Sequence, residues 1–208
     1  AGNVPYFDNL AYREYLSTTG TGVNFKLGMI FRPIHELRLG LSAHTPTFFS
    51  LEDNFTSSMS YQYTLEDGDV VEAAGESPDG YFNYKLSTPW RFSGSAAVII
   101  NKFGFISGEV EYVDYGNAAF NYDNFAAEER EVNNAILTTF KPVLNIRAGA
   151  EIVYDILRFR GGAAFLPSAI DGDNTINHTW SIGAGIVQQA YFLDLAYRFG
   201  KIQNTYLL

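Results

Sequence analysis

The chain has 208 residues and no cysteine, with 14 Lys and Arg against 23 Asp and Glu, which gives a net charge of −9. This acidic balance argues against a nucleic-acid surface, and the absence of cysteine excludes disulfides and thiolate metal sites. Aromatic residues make up 16% of the chain and charged residues only 18%, below the roughly 25% charge of soluble domains. No window holds the roughly 18 unbroken apolar residues of a membrane helix, so any membrane crossing would use β-strands.

The first predicted element is a hairpin from Gly20 to Pro46 with a short turn at residues 32–36. The preceding residues 1–19 alternate poorly, so we interpret them as a connecting segment that could contain one short strand. Each arm of the hairpin is about ten residues long and apolar along one whole face, which is typical of a transmembrane β-strand. The apolar faces are Val23, Phe25, Leu27, Met29 and Phe31 in the first arm and Leu37, Leu39, Leu41 and Ala43 in the second.

A long polar connection is predicted from Thr47 to Gly80, within which residues 58–64 alternate and favour a local hairpin. Two more alternating strands follow, joined by a tight turn at residues 101–104. Pro89, near the start of the first of these strands, indicates a bulge or a sheet edge. The apolar faces are Trp90, Phe92, Gly94, Ala96, Val98 and Ile100, then Ile106, Gly108, Val110 and Tyr112.

The second long connection, residues 116–136, contains a run of helix-forming residues that begins at Phe125. Asp123 or Asn124 stands in front of this run and is a candidate N-cap. We therefore predict one short helix within this connection.

Four further strands follow, with short turns at Asp155 and Gln188 and a third long connection at residues 168–177. We interpret residues 201–208 as the start of a further external loop or a truncated end. The apolar faces of the four strands are Leu144, Ile146, Ala148, Ala150 and Ile152; Leu157, Phe159, Ala163 and Phe165; Trp180, Ile182, Ala184 and Ile186; and Tyr191, Leu193, Leu195, Tyr197 and Phe199.

The lengths of the connections alternate along the chain. The turns near Pro33, Lys102, Asp155 and Gln189 are short, and the three connections between the resulting hairpins are long. Because consecutive antiparallel strands reverse direction, all the short turns fall at one end, as in outer-membrane barrels. The predicted fold is therefore all-β. We expect about eight strands of an antiparallel transmembrane β-barrel over residues 20–200, with long external loops and one short loop helix.

Charged residues of both signs occupy the faces opposite the apolar ones, where a barrel has its interior. Charges in a protein interior need partners or water, so we predict Arg–carboxylate ladders between adjacent strands. The simpler role for these residues is to stabilise the barrel from inside. The alternative is that some of them line a permeation path or a ligand site. The residues are Lys26, Arg38, Arg91, Glu109, Glu111, Arg147, Glu151, Arg158, Arg160, Asp194 and Arg198.

Other candidate chemistry is weak. The three histidines, His35, His44 and His178, are too dispersed for a metal triad. The Asp- and Asn-containing run 171–174 lacks the spacing and the distal Glu of a calcium loop, so an ordinary turn is the simpler interpretation. No nucleophile, base and orienting group can be assembled from motifs. We therefore predict no enzymatic activity, no cofactor and no metal.

The ordered set of strand motifs resembles the FadL-type outer-membrane transport proteins, which carry long-chain fatty acids and other hydrophobic compounds. The hairpin over residues 20–46 carries the main resemblance. The resemblance implies a 14-stranded barrel with an N-terminal hatch, of which this chain holds the C-terminal part, in the outer membrane of a Gram-negative bacterium. The other motifs are LSTPWR at 86–91, EVEYVDY at 109–115, NIRAGAE at 145–151, LRFRGG at 157–162 and LDLAY at 193–197.

The function that this resemblance implies is passive uptake of a hydrophobic, fatty acid-like molecule, with membrane lipids as the other partner. The hatch of the family has no counterpart here, so no ligand-contacting residue is carried over from it. Two alternatives remain: a partner-binding subunit of a secretion or surface complex, and a small structural barrel. We predict that apolar residues of the external loops form the capture surface, namely Phe48, Phe49, Leu51, Phe55, Tyr61, Tyr63, Phe120 and Phe125.

Overall fold

The computed structural model describes residues 7–65 and 67–201. These residues form an all-β fold of two antiparallel sheets with one α-helix and a single-turn 3₁₀ helix at Tyr115–Asn117. No helix in this part of the chain is long and apolar enough to cross a membrane. The elements are β1 Phe7–Val23, β2 Lys26–Phe31, β3 Leu37–His44, β4 Phe48–Thr64, β5 Val70–Glu76, β6 Gly80–Ser87, β7 Arg91–Ile99, β8 Gly104–Asp114, β9 Ala119–Asn121, α1 Ala126–Thr139, β10 Pro142–Tyr154, β11 Leu157–Pro167, β12 Ile176–Val187 and β13 Phe192–Lys201.

The larger sheet, called the main sheet below, has eight strands in the order β13-β12-β11-β10-β8-β7-β3-β2. All neighbours are antiparallel, and four pairs of consecutive strands are joined by short connections. This confirms the eight predicted strands in four hairpins. Two of the turns contain a residue with positive φ, Asn101 at 48° and Asp155 at 53°, and short polar side chains of this kind tolerate that conformation.

The main sheet is open in the part of the chain that the structure describes. β2 and β13 stand at the two ends of the strand order, and no pairing joins them there. Both edge strands are exposed along their whole length. The eight strands do not close on themselves among the described residues, and their membership of a larger barrel stays a prediction.

The two faces of the main sheet differ in both polarity and exposure. In β8, Val110 and Tyr112 are 44% and 41% exposed, whereas Glu111 is 9% exposed and Val113 is fully buried. β10 repeats the pattern with Leu144 exposed and Asn145 buried. The predicted alternation is confirmed, and the face that is most exposed is the apolar one. Buried apolar side chains are correspondingly few in the described residues: Val113 and Val143.

The second sheet, called the extension sheet below, has the order β1-β4-β6-β9, and β5 pairs with β4. It corrects two predictions. Residues 7–19 belong to a 17-residue strand rather than to a connecting segment, and the predicted polar connection 47–80 contains β4, β5 and the first residue of β6. The local hairpin predicted there is present as β4 and β5. Residues 1–6 and 202–208, which include the predicted terminal loop, lie outside the described residues.

The extension sheet continues four strands of the main sheet beyond one end. β1 leads into β2 across residues 24–25, β3 into β4 across residues 45–47, β6 into β7 across residues 88–90, and β8 into β9 across residues 115–118. We call the first three of these breaks the junction. Pro46, the last residue of the predicted hairpin, stands within the junction, and so does Pro89 on the next strand.

The junction also contains one extra residue. Val23 pairs with Phe48 on the extension side, and Lys26 pairs with His44 on the main-sheet side. Two residues of one strand therefore lie opposite three residues, 45–47, of the other. This two-against-three arrangement is that of a β-bulge.

The predicted helix is confirmed as α1. Its N-cap residue is Phe125, which makes no side-chain capping bond, so the predicted cap at Asp123 or Asn124 is wrong. Glu129 in the first turn instead accepts a hydrogen bond from the Tyr122 backbone N–H at 2.8 Å, and a carboxylate is favourable near a helix N-terminus. Asn133 bonds both the N–H and the C=O of Phe120. These bonds attach the helix to β9.

Candidate functional site

The first ion-pair network lies on the polar face of the main sheet, where β8 and β10 pair. Arg147 stands directly opposite Glu109, and one guanidinium nitrogen lies 2.5 Å from a Glu109 carboxylate oxygen. A second guanidinium nitrogen lies 3.1 Å from Glu111. The buried Asn145 donates a hydrogen bond to the same Glu111 oxygen at 2.9 Å. The expected Arg–carboxylate ladder is confirmed at this position.

A second network joins β10, β11 and β13. Arg160 stands opposite Glu151, with its Nε 2.6 Å from the carboxylate, and also pairs with Asp194. Asp194 is two strands away, so its carboxylate must pass over β12. Gly185, which pairs directly with Asp194, makes this possible because a Cβ at position 185 would collide with that carboxylate.

The remaining charged residues predicted for this face have other surroundings. Arg158 donates to the backbone carbonyls of Asp155 and Leu157 at 3.0 and 3.1 Å. Four cations form no ion pair with another described residue: Lys26, Arg38, Arg91 and Arg198. The structure thus brings together six members of the predicted network and leaves these four without a carboxylate within ion-pair distance.

The predicted capture residues lie mainly on strands of the extension sheet, rather than on loops. Phe48 and Phe49 of β4 and Phe120 of β9 line one surface cavity of about 440 Å³, together with Leu86 of β6. The others are outside this cavity. Tyr61 and Tyr63 stack on each other at 6.1 Å further along β4, and Phe125 packs against Phe82. The structure places the last two at other positions on β4: Leu51 and Phe55.

Three aromatic residues that the sequence did not single out connect this region. Phe82 and Tyr84 of β6 and Tyr122 after β9 link Phe120 to Phe125, with ring centroids 5.3 to 6.4 Å apart. We call these five residues the aromatic cluster. The alternation of Phe82, Tyr84 and Leu86 is a usable sequence signal, but it indicates only a strand face. Which rings meet depends on the pairing of β6 with β9.

Tyr84 carries the polar contact of the aromatic cluster. Its hydroxyl donates a hydrogen bond to Asp53 of β4 at 3.3 Å. Partial burial and the nearby Asp53 carboxylate both disfavour the phenolate, and together they raise the pKa of Tyr84 above its ordinary value.

These observations define the class of the molecule only broadly, as an all-β chain of antiparallel sheets with an ion-paired polar face and an aromatic cluster. No three His, Asp or Glu side chains lie together as a metal site in residues 7–65 and 67–201. No protein-family model, curated protein or solved structure matches the chain.

Proposed function

We propose that the main sheet lies in a bacterial outer membrane as part of a FadL-type β-barrel, with its exposed apolar face against lipid. The observation that supports this proposal is the inverted polarity of the main sheet. Soluble sheets bury their apolar face and expose the polar one. Here the charged face carries the networks of Arg147 and Arg160, and the apolar face is open. Its members include Leu27, Met29, Leu41, Ile106, Ile152, Ile182, Leu193 and Leu195, each more than half exposed.

The size of the apolar face makes water an unsuitable environment for it. The largest apolar patch on a soluble monomer is typically about 300–600 Å². The apolar face here runs across all eight strands. Each Å² of apolar surface left in water costs about 25 cal/mol, and hydrocarbon removes this cost. The ion-paired face then becomes the barrel interior.

The open edges of the main sheet support pairing with further strands. An unpaired backbone N–H or C=O in hydrocarbon costs several kcal/mol, so sheets cross membranes only as closed barrels. β2 and β13 must therefore pair with each other or with strands outside the described residues. The proposed family assignment favours further strands and a 14-stranded barrel. The alternative, a small structural barrel of eight strands, predicts that this chain alone migrates differently on gels before and after boiling.

Lipid contact can be tested by labelling single cysteines, because the chain has none of its own. Ile182 and Ser181 are neighbours on β12 and lie on opposite faces. We expect a fluorophore on I182C, in outer-membrane vesicles from cells that express the protein, to be quenched by lipid-borne nitroxides. The same fluorophore on S181C should be protected. Equal quenching of the two positions would contradict the proposed lipid face.

Within this barrel we propose passive uptake of a hydrophobic, fatty acid-like molecule. The cavity of Phe48, Phe49, Leu86 and Phe120 supports this proposal because it is mostly apolar and lies in the extension sheet, next to the proposed membrane region. An apolar cavity at this position can bind a hydrocarbon chain from solution before the ligand enters the barrel. Polar atoms form only a small part of the cavity wall, which favours hydrocarbon ligands over polar ones.

The uptake proposal is tested with binding of a fluorescent long-chain fatty acid to the purified protein in an uncharged detergent. Phe49→Ala and Phe120→Ala should each weaken binding several-fold, because each removes a wall of the cavity. Phe55→Ala is the matched control, since Phe55 lies on the same strand as Phe49 but outside the cavity. Saturable binding that all three variants retain would count against this cavity as the capture site.

A second candidate function rests on the free edge of β1. This 17-residue strand pairs with β4 on one side only within the described residues. Long exposed edges are templates for strand addition, which favours a partner-binding subunit of a larger outer-membrane complex. Co-purification of a second protein that is lost on introducing Leu16→Pro, with fatty-acid binding unchanged, would support this function over uptake.

A further inference from the structure

A second cavity, of about 290 Å³, lies at the junction between the two sheets. Two full cations and a histidine contribute to its wall, and four neutral polar side chains complete the polar part. None of the residues that line it is Asp or Glu. The lining residues are Asn24, Lys26, His44, Thr45, Thr47, Phe49, Thr88, Pro89 and Arg91.

The three basic residues are direct neighbours across adjacent strands. Lys26 pairs with His44 in the β2–β3 ladder, and His44 pairs with Arg91 in the β3–β7 ladder. Elsewhere on the polar face a carboxylate stands opposite each networked arginine, as Glu109 does for Arg147. The row at the junction has cations at both ends and no such counterion.

The carboxylate next along the same face of the neighbouring strand is already engaged. Glu111 of β8 faces Ser93, two residues beyond Arg91. It interacts with the charge of Arg91 through space, but its close contacts are the ion pair with Arg147 at 3.1 Å and the hydrogen bond from Asn145 at 2.9 Å. Among the described residues, Arg91 forms no ion pair with this or any other carboxylate.

Hydroxyl groups make the same wall rich in donors. Thr88 Oγ accepts a hydrogen bond from the Thr47 backbone N–H at 2.8 Å, and Thr47 Oγ accepts one from the Asn24 amide at 2.9 Å. A threonine hydroxyl that accepts still has its own O–H to donate. In the described part of the chain, neither O–H has an assigned acceptor. These bonds also fix the two side chains in place, so the donors are held in position.

We propose that the junction cavity binds an oxyanion, a phosphate or a carboxylate group, held by Lys26, Arg91 and His44. Such a group would supply a counterion for Lys26 and Arg91 and accept hydrogen bonds from the two threonine hydroxyls. Its source is either a free anion or the head of an anionic amphiphile. Phe49 lines both this cavity and the apolar cavity of Phe48 and Phe120, so one amphiphile could occupy both. The anion site itself does not depend on the proposed uptake function.

The test uses the whole chain in an uncharged detergent, titrated with inorganic phosphate and followed by NMR of the imidazole rings. The three histidines provide an internal comparison, because only His44 lines the cavity. We expect phosphate to shift the His44 resonances in a saturable manner and to leave those of His35 and His178 in place. No shift at His44, or parallel shifts at all three histidines, would overturn the proposal. This measurement uses the unaltered chain, so it does not depend on whether any variant folds.

Variants then test the two cations. The double change K26Q/R91Q should weaken phosphate binding at least tenfold. The control K102Q/R130Q removes the same charge from a turn and from α1, and its affinity for phosphate should be unchanged. Equal loss in the two double variants would mean a general charge effect and would overturn the site.

The affinity for a second ligand, dodecyl phosphate, distinguishes the two possible sources of the anion. Binding at least tenfold tighter than inorganic phosphate, with the gain removed by Phe49→Ala, identifies an amphiphile head. Equal affinities identify a free anion, and both results support the site. Uncharged dodecanol serves as a separate probe of the apolar cavity. Dodecanol binding without phosphate binding would overturn the anion site and leave the proposed uptake standing. Phosphate binding without dodecanol binding would support the anion site and count against the proposed uptake.

Discussion

The main sheet and the extension sheet share four strand paths but differ in how they use their faces. In the main sheet apolar side chains occupy one face and polar or charged side chains the other, and in inner strands such as β8 and β10 the apolar side is the more exposed. In the extension sheet aromatic, hydroxyl and charged residues occur on the same strands, and β4 is partly buried along most of its length. Strand continuity therefore does not imply a common environment. The change occurs at the junction, within two or three residues.

The largest expected effect comes from one charge placed on each sheet. Ile182 in the main sheet and Leu16 in the extension sheet are 60% and 65% exposed, so exposure alone predicts the same outcome for both. If the main sheet contacts lipid, Ile182→Arg should lower the free energy of unfolding by about 2–4 kcal/mol. Leu16→Arg should change it by less than about 0.5 kcal/mol. Urea unfolding in vesicles measures both, and equal small effects would contradict the proposed difference between the sheets.

The next effect concerns the polar face of the main sheet. Arg147→Met leaves Glu109 and Glu111 without their cation. Breaking a fully buried pair costs about 3–5 kcal/mol, and because the Arg147 side chain is 41% exposed we expect about 1–3 kcal/mol in the same unfolding experiment. Arg198→Met is the control, since Arg198 has no ion pair among the described residues. Comparable destabilisation by the two changes would show that charge, rather than pairing, is being measured.

A smaller effect is expected for a methyl group on β12. Gly185→Ala places a Cβ against the Asp194 carboxylate and should displace it from Arg160, at a cost of about 1 kcal/mol, the low end for overpacking. Gly161→Ala is the matched change on β11, where a Cβ meets nothing within 4 Å. Thermal unfolding should separate the two variants. A Gly161→Ala variant that is less stable than Gly185→Ala would be incompatible with this geometry.

The smallest effect is a pKa change in the extension sheet. Asp53→Asn removes the carboxylate beside Tyr84 and should lower the pKa of Tyr84 toward its ordinary value of 10.0. A raised tyrosine pKa stabilises the fold below pH 10, and this contribution is lost as the pH rises through the folded-state pKa. The variant should therefore lose less stability above pH 10 than the parent chain. NMR titration of the Tyr84 ring carbons follows the change.

The fold of the main sheet could be predicted because its signal is local. Each strand carries the full two-residue period, and residues such as Asn101 and Asp155 mark turns by their own conformational preferences. β1 and β4 could not be found in this way. Their pairing joins Phe7 to Tyr63, and polar residues on both faces hide the period. A strand that is stabilised by a distant partner leaves little trace in its own sequence.

The candidate site, too, could be predicted only where its signal is local. Alternation alone assigns Arg147, Arg160 and Glu151 to one face, and this was correct. Which carboxylate each arginine meets depends on strand register, so the contact of Arg160 with Asp194 across a glycine could not be foreseen. The junction cavity was missed for a similar reason. Lys26, His44 and Arg91 are far apart in sequence and become neighbours only when β2, β3 and β7 are aligned.

The extra residue at the junction constrains how the chain length of this protein can change. Because strand side chains repeat every two residues, an insertion or deletion of one residue in β3 or β4 reverses every side chain beyond it. The three residues 45–47 already absorb one such step between the two sheets. Removing Pro46 would leave two residues opposite residues 24–25 and should therefore abolish the bulge between these strands while both ladders keep their pairings. Insertions of two residues should be tolerated, so related chains are expected to differ in this region by even numbers of residues.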